Sequence, residues 1–246
     1  MLKNKRRAPD TLICVFGILL TLTISTGLVF ERTVPGLWIV AYSALFSGTA
    51  LLGLLLYDEP AGWTNPPKLV GLISIGLLAY ILTWSDMWHD IGWQNTRTGW
   101  QHKSWGIIAD LSITLLFIGG WIMALFKIRR TQSMESITLA IFPIIGILAF
   151  IIGSAGGNET NTLTAIIYNV FMLFYGLMYV VLGCRNVKFR QLNGGMALLA
   201  LLLVTRFFDA DFGFFARGFV FILLGICFLT VNLIMAKRKK IRKVAS

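Results

Sequence analysis

The sequence predicts an all-α, polytopic transmembrane bundle of about eight membrane-spanning helices with both termini in the cytoplasm. Hydrophobic residues make up 57% of the chain and charged residues 13%, whereas about 25% of the residues in soluble domains are charged. A bilayer core needs about 20 apolar residues of helix per crossing, and most of the chain lies in runs of about that length. The predicted crossings form one integral membrane domain over residues 1–246, and they cover residues 11–30, 37–57, 69–87, 106–126, 137–154, 163–183, 195–208 and 214–236.

The positions of the basic residues predict how the bundle is oriented. The net charge is +11. With the N-terminus inside, the cytoplasmic segments hold every basic residue except Arg32, Arg97, Lys103, Arg206 and Arg217, which is the positive-inside pattern. The last segment is the most basic and is also cytoplasmic after an even number of crossings. We interpret it as a membrane-stop cluster beside anionic headgroups, so we expect membrane lipids and no nucleic acid as its partners.

Individual crossings add local expectations. The first follows a basic segment, but its apolar run is too long for a secretory signal and no cleavage site follows, so we expect it to be retained. Ser43 and Ser47 in the second crossing allow close helix approach. Pro143 in the fifth leaves a carbonyl that a neighbour or water must satisfy. The sixth carries a stripe that we interpret as interhelical packing beside Asn169: Tyr168, Met172, Tyr175 and Tyr179.

An acidic group follows the third crossing. Asp86, His89 and Asp90 are spaced i, i+3 and i+4 and share one helical face, and Asp110 is predicted at the same extracytoplasmic level. His with Asp can bind a transition metal, which a membrane hydrolase would use to activate water. The chain has only two histidines, and an interfacial polar collar explains the same residues. We therefore expect no metal ion and no cofactor. An aromatic belt at headgroup level explains the nearby tryptophans: Trp84, Trp88, Trp93, Trp100 and Trp105.

A second polar group joins the last two crossings. It consists of Arg206, Asp209, Asp211 and Arg217. One interpretation is an ion-paired clasp that closes the last hairpin, and the other is a site where arginine binds a phosphate or carboxylate. The apolar run of the seventh crossing is too short to span without Arg206, so this side chain must reach outward or be paired.

The same region carries a family resemblance. Its elements are the run 192–195, the segment Thr205-Arg206-Phe207-Phe208-Asp209, and Arg217-Gly218 before an apolar run. In about the last fifth of the chain, these elements resemble the C-terminal end of bacterial multi-pass membrane proteins of unknown function, namely domain of unknown function 2157 and its relatives. The resemblance implies a bacterial cytoplasmic (inner) membrane location. It implies no activity, because none is assigned to that family.

Taken together, these observations predict a non-enzymatic envelope protein with an outward-facing polar pocket that binds or moves a small or lipid-derived ligand. Arg206 and Arg217 would face an anion, with Asp209 and Asp211 beside them. Asp86, Asp90 and Asp110 would face a cation or proton. The alternatives are a membrane-embedded hydrolase or transferase at the outer leaflet, using the Asp86, His89 and Asp90 group with His102, and a structural subunit of a membrane complex.

Overall fold

The structure is a computed structural model, and it describes residues 9–30, 36–56, 65–91, 104–128, 134–155, 158–209 and parts of 218–237. These residues are almost entirely helical and contain no strand. The helices are α1 Pro9–Phe30, α2 Leu37–Leu56, α3 Pro66–Ile81, α4 Ser85–Ile91, α5 Ser104–Ile128, α6 Met134–Ser154, α7 Asn158–Asn186 and α8 Phe189–Asp209.

Four of the described helices are long and apolar enough to cross a membrane. They are Leu37–Leu56, Gly106–Ile128, Met134–Ser154 and Glu159–Asn186. Two shorter apolar helices cover Phe16–Thr26 and Pro66–Ile81. The helical class is therefore confirmed, and these helices are compatible with the predicted membrane location. The number of crossings and the side on which the termini lie stay predictions.

The chain divides into two compact units, Met1–Tyr168 and Asn169–Ser246, with the boundary inside α7. In the first unit α2 is the central helix. It packs against α3, α5 and α6, and 67% of its apolar span is buried. A helix that is apolar on nearly all sides is stable only when neighbours or lipid surround it, which agrees with the burial of α2.

The contacts of α2 fix the directions of its neighbours. The α2 residue Gly53 lies against Lys68 at the start of α3, so these helices are antiparallel. Gly48 lies against Trp121 of α5, and Leu37 and Ala41 pack with α5 side chains one to two turns after Asp110. Later residues of α2 contact later residues of α5, so the two helices run parallel. We call the two ends of this unit the Leu37 end and the Leu56 end, after the limits of α2.

The carbonyl that Pro143 leaves unpaired in α6 has a partner on α2. Proline removes the hydrogen bond to the residue four positions earlier, which is Leu139. The Ser47 hydroxyl donates a buried hydrogen bond to that carbonyl. The prediction that a neighbour must satisfy the freed carbonyl is confirmed, and the same contact shows that α2 and α6 are held close at this level.

The third predicted crossing is interrupted in the structure. The observed helix α3 starts at Pro66, where Asn65 Oδ1 accepts a hydrogen bond from the Lys68 backbone nitrogen at 3.3 Å. This helix ends at Ile81. A turn over residues 82–84 separates it from the short helix α4, which contains the last residues of the predicted segment. The Thr83 hydroxyl donates to the Tyr80 carbonyl at 2.7 Å and satisfies one acceptor at the end of α3.

In the second unit α7 and α8 form an antiparallel pair held close by glycines. A Cβ on Gly183 would overlap the Leu192 backbone, and a Cβ on Gly195 would lie 2.6 Å from the Val180 backbone nitrogen. Such close approach is what small residues permit between membrane helices. The α8 helix begins at Phe189, earlier than the predicted start at Gly195, and Gly195 lies inside the helix at this contact.

Candidate functional site

Asp110 is the most completely buried of the predicted ligand-binding residues whose side chains the structure describes. It lies in the first half of α5, on the side that faces α2, and only 1% of its surface is exposed. Gly48 lies against Trp121, and Leu37 and Asp110 lie the same number of residues before them. Because the two helices are parallel, Asp110 is level with Leu37. The carboxyl group therefore lies at the Leu37 end of the first unit, beside the N-terminus of α2.

Neither carboxyl oxygen of Asp110 has a hydrogen-bond partner among the residues that the structure describes. The Asp110 backbone carbonyl accepts a hydrogen bond from the Thr114 hydroxyl at 2.8 Å. Burying an ionisable group without a partner is costly. Such a carboxyl can take a proton, a cation or a positively charged ligand.

The other acidic candidates lie differently. Asp86 is exposed on α4. His89 and Asp90 belong to the same helix, which agrees with their predicted spacing, but their side chains lie outside the described part of the molecule. Within that part, no group of three or more His, Cys, Asp or Glu side chains could hold a metal ion. The structure thus gives Asp86 an exposed environment and Asp110 a buried one.

Trp88 occupies a place that sequence reasoning missed. Its exposed fraction is 0%, so the prediction that it belongs to an interfacial aromatic belt was wrong. The indole Nε1 donates to the Leu82 carbonyl at 2.9 Å, and the ring stacks on Tyr168 with centroids 5.8 Å apart. A Cβ on Gly153 would lie 2.9 Å from the Trp88 ring. Gly153 makes room for the Trp88 indole. This glycine was the one feature of the sequence that could have indicated a buried aromatic ring at this position.

Arg206 has a partner on the preceding helix. Its Nε donates to Asn169 Oδ1 at 2.9 Å, in a half-buried position. The clasp interpretation placed its partner inside the last hairpin, whereas this bond joins α7 and α8. The Asp209 side chain lies outside the described residues, as do Asp211 and Arg217. The proposed pairing among these three and Arg206 is therefore untested.

A buried ion pair lies at the Leu56 end of the first unit. Lys68 Nζ and Glu135 Oε2 are 2.9 Å apart, and the two side chains are 5% and 11% exposed. Each residue lies in the first turn of an apolar helix, α3 and α6 respectively. Two single charges of opposite sign at equivalent helix starts could have suggested this pair, but the sequence analysis treated Lys68 only as part of the positive-inside count.

Comparison with protein-family models, curated proteins and solved structures finds no match to this chain.

Proposed function

We propose that this chain is a multi-pass protein of a bacterial cytoplasmic membrane that binds or moves a small or lipid-derived ligand at an outward-facing polar pocket. In this proposal eight helices cross the membrane, both termini are cytoplasmic, and the Leu37 end of the first unit faces outward. The distribution of basic residues supports that orientation. The parallel direction of α2 and α5 agrees with it, because these are the second and fourth predicted crossings.

The observation that carries the binding role is the buried Asp110 carboxyl, which has no partner in the described ranges. A structural carboxylate in a membrane helix is normally paired. A group kept for binding is paired only when its ligand is present. The ligand class that fits is therefore a cation, either a metal ion or an ammonium group such as that of a lipid headgroup.

The hydrophobic reagent dicyclohexylcarbodiimide tests this role, because it modifies carboxyl groups that water-soluble reagents do not reach. The detergent-purified protein is labelled in sodium, potassium, methylammonium or choline chloride at equal ionic strength, and labelled peptides are identified by mass spectrometry. We expect modification of Asp110, and protection by one of these cations. Asp110→Asn should abolish that label, whereas Asp86→Asn, at an exposed site, should leave it unchanged.

Thermal stability of the same variants separates binding from a structural role. If Asp110 is held for a ligand, Asp110→Asn retains the wild-type stability or gains about 1 kcal/mol, because a costly buried group is removed. If instead a basic residue of the protein holds the carboxyl, the substitution strands that charge and lowers the free energy of unfolding by about 3–5 kcal/mol. That loss, together with absence of labelling in every salt, would refute the proposed binding role.

A further inference from the structure

A row of buried polar residues follows one face of α7 in the first unit. Asn161, Thr164 and Tyr168 are spaced i, i+3 and i+7, and each is at most 7% exposed. The Thr164 hydroxyl is satisfied, since it donates to the Asn161 carbonyl at 2.8 Å. The Tyr168 hydroxyl approaches the Ser43 hydroxyl of α2. We refer to Ser43 and Tyr168 together as the hydroxyl pair.

The polar atoms at both ends of this row have unused hydrogen-bonding capacity. Within the described segments, the oxygens of the hydroxyl pair and Asn161 Oδ1 lack a hydrogen bond of good geometry. Buried polar groups in native proteins are nearly always bonded to protein or to ordered water. Gly146 lies beside the pair, and a Cβ there would be 2.7 Å from Ser43 Oγ. The missing side chain lets Ser43 pack directly against the α6 backbone.

We propose that the hydroxyl pair is a binding site for a small uncharged molecule, water or an alcohol, that hydrogen-bonds through its own hydroxyl group. This site is separate from Asp110, which lies on α5, and it does not depend on the binding role of that carboxyl. The residues described around the pair carry no charge: Trp88 and Phe142 contact the Tyr168 ring, and Gly146 adjoins Ser43. An uncharged hydrogen-bonding ligand matches them.

Trp88 closes this site on the side of Asn161. Its ring covers Tyr168 and lies against Gly153 near the Thr164 methyl group. Those contacts place the indole between the start of α7 and the hydroxyl pair. A ligand that enters along the polar row of α7 must displace this ring, so Trp88 controls the rate of entry.

Cysteine reactivity tests the site in the full-length protein. Alanine first replaces the natural cysteines, which are Cys14, Cys184 and Cys227. Thr164→Cys then places a thiol beside the row, and Ser47→Cys places one at an equally buried position whose native hydroxyl is bonded to a carbonyl. The uncharged reagent methyl methanethiosulfonate reacts with the thiolate, which needs a polar surrounding to form. We expect Thr164→Cys to react at least about tenfold faster than Ser47→Cys, because only the first adjoins a ligand-filled site.

Three further arms assign the reactivity to the hydroxyl pair, to Trp88 and to the ligand. Adding Ser43→Ala and Tyr168→Phe should lower the Thr164→Cys rate to that of Ser47→Cys. Trp88→Ala should raise the Thr164→Cys rate about tenfold, and Trp88→Phe, which keeps a ring in place, should raise it less. Glycerol should slow the reaction if alcohols bind, and have no effect if only water fits.

Two results would overturn the proposal. One is that Thr164→Cys reacts no faster than Ser47→Cys, and that this holds both in the protein with Trp88 and in the Trp88→Phe variant. The other is a fast rate that persists without both hydroxyls, since the reagent would then reach the thiol by a path that does not involve the hydroxyl pair.

Discussion

The ion pair between Lys68 and Glu135 offers a quantitative test of the helix packing at the Leu56 end. Glu135→Gln keeps the size of the side chain and removes its charge, which leaves the Lys68 ammonium without its carboxylate. Lys68→Met does the reverse with a side chain of similar length. The double variant replaces the charged pair with an uncharged one of nearly the same volume.

The expected magnitude follows from the geometry. At a separation of 2.9 Å and an effective dielectric constant of about 20, two unit charges attract by about 6 kcal/mol. Desolvation offsets part of this attraction. Removing one partner of a buried pair costs about 3–5 kcal/mol, because the remaining charge stays buried, whereas replacing both is often close to neutral. We therefore expect each single variant to lose about 3–5 kcal/mol and the double variant to differ from wild type by less than about 1 kcal/mol.

The assay is reversible unfolding of the purified protein in mixed detergent and dodecyl sulfate micelles, analysed as a double-mutant cycle. Lys127→Met is the matched control, because Lys127 is exposed near the end of α5 and its loss should change the free energy of unfolding by at most about 0.5 kcal/mol. Losses below about 1 kcal/mol in both single variants would refute the reasoning. They would mean that the two charges reach water and that α3 and α6 are not packed here as described.

Two other predictions concern packing. Ser47→Ala should lower the free energy of unfolding by about 1–3 kcal/mol, because it leaves the Leu139 carbonyl without a partner. Ser43→Ala, on the same helix face, should cost less than about 1 kcal/mol because it leaves no backbone carbonyl unpaired. Equal losses in the same unfolding assay would contradict this contrast. Gly183→Val should weaken the packing of α7 on α8 by about 2 kcal/mol or more, because the valine side chain would overlap the Leu192 backbone. A cysteine cross-link between these two helices should then form more slowly. An unchanged cross-linking rate would show that the helices are farther apart.

The sequence predicted the class and most helix limits because both follow from local hydrophobicity. Leu37–Leu56 and Met134–Ser154 differ from the predicted crossings by only a few residues. The break after Ile81 was not predictable in this way. No proline or glycine marks it, and it is stabilised by distant contacts that bury Trp88, which hydropathy treats as an interfacial residue.

The identity of the central helix also lies beyond the reach of sequence patterns. A helix that is apolar on every side looks the same whether lipid or protein surrounds it. The position of α2 depends on close approaches at Gly53 and Gly71, together with a buried hydrogen bond from Ser47. These are pairwise features between distant residues. A single sequence lists the small residues, but it does not say which neighbour each of them meets.

The two ends of the first unit differ in whether their buried polar groups have described partners, and this difference bears on function. At the Leu56 end, Lys68 and Glu135 neutralise each other, and the Asn65 side-chain amide donates to the Gly53 carbonyl at 3.2 Å. Toward the Leu37 end, the Asp110 carboxyl and the hydroxyl pair have no well-formed hydrogen bond to any described residue. The Trp121 indole N–H, which is level with Gly48 and nearer the middle of the unit, also has no hydrogen-bond partner among the described residues. Paired groups hold helices together, whereas unpaired groups are a cost that a ligand or water must offset. This difference supports the proposal that ligands bind toward the Leu37 end, which is also the end that the distribution of basic residues predicts to lie on the outer side.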